Sequence, residues 1–513
     1  MGGPDAAESE AVHSPHEEES LASRFRELAT THFTLLLAAS TIGVYLMVLV
    51  GTTTSLLDAG SACASWPTCN GGLLPAGEAT AVLAWGHRLV GLVVGLVLIA
   101  TVFASVWEGD RRIRMGVAVA AFLYPIQTGL GAWMALFGVS RAASAIHLVV
   151  AMTIFSGLLV ALLWRLEAEH VEPGPRQLAP SQETKAVSKS AVEGVPSDDG
   201  EGPLSVRDGQ EIGAGAEGGS RTSPSIGTRL RAYLTLTKPR LWWLLALVAV
   251  AAMALAAGPT LHIWTVVATV TGGVLAIGAS GTFNNILETD RDRRMERTKD
   301  RPLVEGTISI RRAIAFGALL TVASWAVFAV FVNVLAAALG MLAILFYSVI
   351  YTLLLKPHTD QNIVIGGAVG AFPALIGWAA VEHTIELPAI VLGTIVFLWT
   401  PAHFYNLALA YREDYARAGF PMLPVSRGAA TTRRHILLYL GATMVATVFL
   451  GTSQALGWTY AGAVLVVGGV FLWTVIQQYR VRTDDAALRT FHAVNAYLGV
   501  LLLAVVIDSL LVP

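Results

Sequence analysis

The chain has 513 residues, of which 54% are hydrophobic and 14% charged. Soluble domains carry about 25% charged residues, so this composition excludes an ordinary soluble enzyme and points to a polytopic membrane protein. The formal net charge of −2 averages over segments of different sign, and no nucleic-acid partner is expected. Two cysteines exclude a disulfide-rich scaffold and a cysteine-only metal cage.

Residues 1–20 hold six acids (Asp5, Glu8, Glu10, Glu17, Glu18, Glu19) and no Lys or Arg. A secretory signal needs a basic start and an apolar core. Residues 1–30 therefore read as a disordered acidic tail, of a kind that suits a high-salt cytoplasm. An apolar run of about 20 residues spans a bilayer. Four such runs follow, at 33–53, 81–105, 115–137 and 142–164, making a membrane domain over 31–165. No aromatic residue lies between Trp164 and Tyr233, and the stretch is rich in Gly, Ser, Pro, Glu and Ala. Such a segment buries too little apolar surface to offset its ordering entropy, so 166–228 reads as a disordered linker.

Nine further runs make a second membrane domain over 229–513. They lie at 241–258, 262–286, 313–332, 334–353, 363–381, 387–408, 435–453, 459–477 and 491–511, with a tight turn near Asn333. The predicted fold class is all-α, with about thirteen transmembrane helices arranged four plus nine. Basic residues cluster in alternate loops, among them Arg24 and Arg26, Arg111 to Arg114, Arg291 to Arg312, and Arg480 to Arg489. The opposite loops hold almost nothing basic except Arg141. By the positive-inside rule the N-terminus, tail and linker are expected to be cytoplasmic and the C-terminus external, in a multi-pass protein of the cell membrane.

In the first external loop, Cys63 and Cys69 are either two free thiols or, as the oxidising compartment favours, a disulfide. His87 and His147 each lie about six residues inside the external end of a span, so they share one depth. Two such histidines suit both axial positions of one haem; the alternative is two unrelated histidines bonded to helix backbones. Val50-Gly-Thr-Thr-Thr54, Cys63 to Gly71, His87-Arg88, Gln127-Thr-Gly129 and Ala145-Ile-His-Leu148 together resemble one four-helix unit of the haem A synthases. That resemblance implies a bound haem in this half. It also places a glutamate implicated in chemistry three residues before the first histidine, where this chain has Ala84, which argues against a chain that also makes haem A.

The sixth span ends in Asn284, Glu288 and Asp292, spaced i, i+4, i+8 and so sharing one helix face. Three oxygen ligands at a membrane boundary suit Mg²⁺ bridging to a phosphate, and the basic residues nearby suit an anion; a solvated charge cluster is the plain alternative. Two more clusters fall at the same membrane face. One holds Tyr351, Thr352, Lys356, Thr359 and Asn362; the other holds Trp399, His403, Phe404, Asp414, Tyr415 and Pro421 to Val425.

These motifs resemble the haem O synthases, protoheme IX farnesyltransferases among the UbiA-type intramembrane prenyltransferases, over about 230–513. Glu288 stands where the family has aspartate, and Thr400 where it has glutamine. The resemblance implies that farnesyl diphosphate and haem B are the substrates, Mg²⁺ the cofactor and membrane lipid the surroundings. Asn284, Glu288 and Asp292 would hold one metal–diphosphate contact, supported by Asp290, and Asp414 a second. Lys299, Arg301 and Lys356 would clamp the diphosphate, Tyr351 would line the site, and His403 would contact haem. Haem A synthase or a terminal-oxidase assembly pathway would be the downstream partner. Prenyl transfer to a quinone precursor or lipid headgroup, and a non-enzymatic haem carrier, are the competing readings.

Overall fold

The computed structural model describes residues 15–169 and 225–511, apart from 64, 73, 76 and 455. Thirteen of its helices are long and apolar enough to cross a membrane, and each covers one of the predicted runs to within one residue. No β-strand occurs among the described residues.

The first four spans are α1 (Pro15–Leu56), α2 (Ala79–Ser105), α3 (Arg111–Phe137) and α4 (Arg141–Ala168). Residues 15–30, expected as disordered tail, are helical. This stretch is rich in good helix formers, so a helix already nucleated by the apolar run extends through it at little cost. The rest of the expected tail, 1–14, and most of the expected linker, 170–224, lie outside the described residues. Asp110 caps α3 by accepting from the Arg112 N–H, and Ser140 caps α4 by accepting from the Ala143 N–H. α1 packs on α2 and α4, and α3 on α4.

A short helix, α5 (Ile226–Leu236), leads into α6 (Trp242–Ala257), α7 (Ile263–Asp292) and α8 (Ile310–Phe331). The turn to α9 (Val334–Leu345) is set by Asn333. Its Oδ1 caps the Ala336 N–H at 2.8 Å, and its Nδ2 donates to the Ala379 carbonyl at 2.6 Å. α9 continues into a π-helical stretch, Phe346–Leu355. Thr352 Oγ1 donates to the Tyr347 carbonyl, five residues back, at 2.8 Å. Wide turns of this kind collect at functional sites, and this one carries Tyr347, Tyr351 and Thr352.

The remaining long helices are α10 (Phe372–Glu382), α11 (Leu387–Ala410), α12 (Gly428–Ser453), α13 (Trp458–Val481) and α14 (Asp484–Leu511). Pro401 inside α11 has no N–H to offer the Phe397 carbonyl. That carbonyl lies where Gly367 approaches, and a Cβ on Gly367 would sit 3.3 Å from Thr400. Thr400 is thus a packing residue here, its hydroxyl donating back to the Val396 carbonyl.

The two groups of helices are joined into one apolar core by α1 and α4, which dock on α12 and α13. Leu159 of α4 presses into the space left by Gly441. Tyr45 of α1 lies within 3.4 Å of the Thr447 hydroxyl, which is also 3.0 Å from Tyr497. Buried hydroxyls in a membrane need partners, and here they find one another across the seam.

Candidate active site and a histidine-lined cavity

The acidic face of α7 is buried: Asn284, Glu288 and Asp292 are 1%, 4% and 2% exposed. Each meets a cation from a different segment. Lys238, in the turn before α6, donates to Asn284 Oδ1, and Lys356 donates to Glu288. Arg301 Nη1 lies 2.5 Å from Asp292 Oδ2. Asn284 also donates to Thr352 Oγ1 at 3.0 Å, tying α7 to the π-helical stretch. Buried charges of this kind persist only when paired. The site therefore sets three cations against two carboxylates and an amide, and presents oxygen donors and cations side by side.

Asp414 stands apart from that row. Its carboxylate accepts the Glu296 and Arg297 backbone N–H groups at 3.4 and 3.2 Å, and Arg417 pairs with it. Burial pushes this carboxyl up, but the bonds from the Arg297 backbone, Arg417 and the Glu296 backbone outweigh it and hold the group below its ordinary range. Asp414 thus anchors the loop that carries Arg301. Among the described residues no three His, Cys, Asp or Glu side chains converge closely enough to form a metal cage. Mg²⁺ commonly binds one or two carboxylates and completes its shell with substrate phosphates and water. The buried oxygens of α7 fit that habit.

Two expected residues point away. Asp290, two residues from both Glu288 and Asp292, falls on the opposite helix face; its side chain is 89% exposed and pairs with Arg293. Lys299 is about half exposed and pairs with Glu296 at 2.5 Å. Tyr351 packs against Gly366 and its ring centroid lies 5.4 Å from that of Tyr347. His403 is sandwiched between Trp399 and Phe491 with ring centroids at 4.5 and 4.6 Å. Its Nδ1 is buried and has no hydrogen-bond partner among the described residues.

Lys238, one of the basic residues before the fifth span, is not among the site residues expected from the sequence. A lysine just before an apolar helix opposes the helix dipole, and that mismatch was the available signal for a second role. Its backbone is left-handed, with φ 53°, which aims the side chain inward. Burial, opposed first by the attraction of Glu288, lowers its ammonium to about 7. Phe420 was also missed as an organiser: Lys356 lies 4.6 Å and Arg291 5.0 Å from its ring centroid. Lys238 and Tyr347 stand at one end of an apolar cavity of about 100 Å³ enclosed by α6, α7, α9 and α10.

The first four helices enclose a second cavity, of about 890 Å³, lined by both His87 and His147. The His87 ring packs on Gly51 and the His147 ring on Gly131, where a Cβ would come within 2.9 and 3.4 Å. Both Nδ1 atoms are buried without partners among the described residues. Gln127 Nε2 lies 3.0 Å from His147 Nε2. Cys63 and Cys69 form the disulfide, and Arg88 holds their loop by donating to the carbonyls of Ser65, Thr68 and Cys63 at 2.7, 2.6 and 3.1 Å. Trp66 and Pro67 of that loop line the cavity, as does Ala84. Two imidazoles facing one large cavity fit a haem.

A UbiA prenyltransferase family model matches residues 244–500, and a cytochrome oxidase assembly protein model matches residues 34–192. A protoheme IX farnesyltransferase of Haloarcula marismortui is 49% identical over 93% of this chain and 98% of its own length. A protoheme IX farnesyltransferase 1 of Natronomonas pharaonis is 50% identical over 94% of this chain and 100% of its own. A solved UbiA homologue from Archaeoglobus fulgidus bound to GPP and Mg²⁺ aligns with 54% of this chain and 99% of its own, at 17% identity and a TM-score of 0.43. Similar to the two farnesyltransferases through both groups of helices, the chain belongs to the protoheme IX farnesyltransferase family of UbiA-type prenyltransferases.

Proposed function

We propose that the chain converts haem B to haem O by moving a farnesyl group from farnesyl diphosphate to the 2-vinyl group, with hydration. The observation that carries this reading is the buried row Asn284, Glu288, Asp292, faced by Lys238, Lys356 and Arg301 at the mouth of an apolar cavity. Mg²⁺, held by the α7 oxygens, would supply positive charge to the departing diphosphate. The three cations bind the diphosphate oxygens and favour the charge that develops as the carbon–oxygen bond breaks. The apolar cavity keeps water from the allylic cation. The terminal vinyl carbon of haem B attacks that cation, and water then adds to the new cation beside the ring, releasing one proton. His403 is the proposed haem contact, supported by its unpartnered Nδ1. Asp414 as a second metal contact rests on resemblance alone, because its oxygens hold the 296–297 backbone here.

Incubating the purified chain with haem B, farnesyl diphosphate and Mg²⁺ tests the reading; absence of haem O by mass spectrometry rejects it. A quinone precursor or lipid headgroup as acceptor would instead give a different prenylated product. A haem carrier would bind haem without releasing diphosphate.

The cavity of the first four helices supports a second function, haem binding through His87 and His147, with Gly51 and Gly131 leaving room for the rings. Ala84 at the expected glutamate position leaves that haem site without its acid. The alternating basic loops support a cell-membrane orientation with the prenyl-transfer site at the cytoplasmic face and the haem cavity at the external one.

A further inference from the structure

The apolar cavity behind Lys238 has a definite depth. Along α7 its lining runs from Gly281 near the mouth to Thr269, twelve residues (281 − 269), or about 18 Å at the α-helical rise. The walls mix small residues, among them Ala249, Gly273, Ala276 and Ala343, with larger apolar ones such as Leu245 and Phe372. The far end is closed by tight packing. Ile376 lies there, and its neighbour Gly377 touches the Ala249 backbone so closely that a Cβ would overlap the Ala249 carbonyl. Ile376 also belongs to a buried cluster with Phe328, Ala336 and Ala379. Phe328 is itself wedged between Gly272 and Gly340, where a Cβ on either would come within 2.9 Å of its ring. The floor is therefore a close-packed surface that yields only at a cost.

An isoprene unit advances an extended chain by roughly 5 Å, its four carbon–carbon bonds of about 1.5 Å each projecting about 1.25 Å along the chain. Three units need about 15 Å and four about 20 Å on the same reckoning. By length alone the lining matches the first and falls short of the second. We propose that Thr269 and Ile376 set the length of the prenyl donor, so that the three-isoprene diphosphate is selected by the floor of this cavity and not by its charged mouth. The inference rests on the prenyl-transfer reading above. Thr269 suits the test because it is 1% exposed and its hydroxyl has no hydrogen-bond partner among the described residues; enlarging it breaks no bond.

The full chain is given haem B, Mg²⁺ and equal amounts of geranyl, farnesyl and geranylgeranyl diphosphates, and the prenylated haems are resolved by mass. Wild type should yield mainly the farnesyl product. Thr269→Leu, which raises the floor, should shift the geranyl-to-farnesyl ratio by about tenfold or more, the scale of a lost methylene pocket. Ile376→Ala, which lowers it, should raise the geranylgeranyl share similarly. Ratios are independent of how much protein folds. For a variant that makes no product, protection from thermal unfolding by non-hydrolysable thiodiphosphates of the three lengths reads the same preference. Unchanged preference in both variants overturns the gauge. A wild type that makes no prenylated haem with any donor overturns the prenyl-transfer reading instead, and the two failures are thereby told apart.

Discussion

Lys238 donates a hydrogen bond to Asn284 across 46 residues of sequence. This contact brings the turn before α6 onto the acidic face of α7 and completes a set of three cations facing three oxygen-bearing side chains. It also gives the site a titratable group near neutrality.

The first prediction concerns pH. Burial, against the opposing pull of Glu288, lowers the Lys238 ammonium to about 7. Its charged form, the one that would pair with diphosphate, is lost as pH rises through that value. The kcat/KM for farnesyl diphosphate should therefore fall above about pH 7 in the wild type. Lys238→Arg keeps its charge throughout and should move that fall to higher pH. A pH–rate profile identical in the two proteins would exclude Lys238 as the group responsible.

Within one motif, neighbouring acids should differ sharply. Asp292 is buried against Arg301, whereas Asp290 is exposed beside Arg293. Asp292→Ala should lower haem O formation by at least about 100-fold, the scale of a lost charge-stabilising group. Asp290→Ala removes a surface pair worth at most about 1 kcal/mol and should change the rate only a few-fold. Equal losses in both variants would mean that helix face does not decide the role.

Phe420 places its ring under Lys356 and Arg291. Contacts of that type are worth about 0.5–2 kcal/mol. Phe420→Leu should raise KM for farnesyl diphosphate several-fold while kcat changes less, because Lys356 loses its position but keeps its pairing with Glu288. Phe420→Tyr should restore the wild-type value. The check is steady-state kinetics on both variants.

For the first four helices, the full chain reconstituted with haem should give a reduced-minus-oxidised spectrum of a six-coordinate haem. His87→Ala and His147→Ala should each remove it. Gln127 occupies His147 Nε2, so Gln127→Leu should raise haem occupancy at limiting haem. A wild-type spectrum unchanged by either histidine substitution would place any haem elsewhere.

Hydropathy and helix period are local properties, and they made much of this protein legible in advance. All thirteen spans follow from apolar runs of bilayer length, and the face shared by Asn284, Glu288 and Asp292 follows from 3.6 residues per turn. The same period, had it been applied to Asp290, would have put it on the far side of the helix from its neighbours, against the supporting role expected of it. The two histidines placed at one depth line a single cavity.

The partners of these residues were not legible, because they are set by how helices distant in sequence pack. Glycine-mediated contacts such as Gly441 with Leu159, Gly377 with Ala249 and Gly366 with Tyr351 decide which faces meet. That packing sets the half-buried Lys238 against α7, turns Lys299 outward, and engages Asp414 with the 296–297 backbone. By itself the sequence determined the helices, their faces and the chemical types gathered at one membrane boundary. Only the tertiary structure decided which cation meets which acid and where the apolar cavity ends, since both depend on close contacts between segments that no local pattern records.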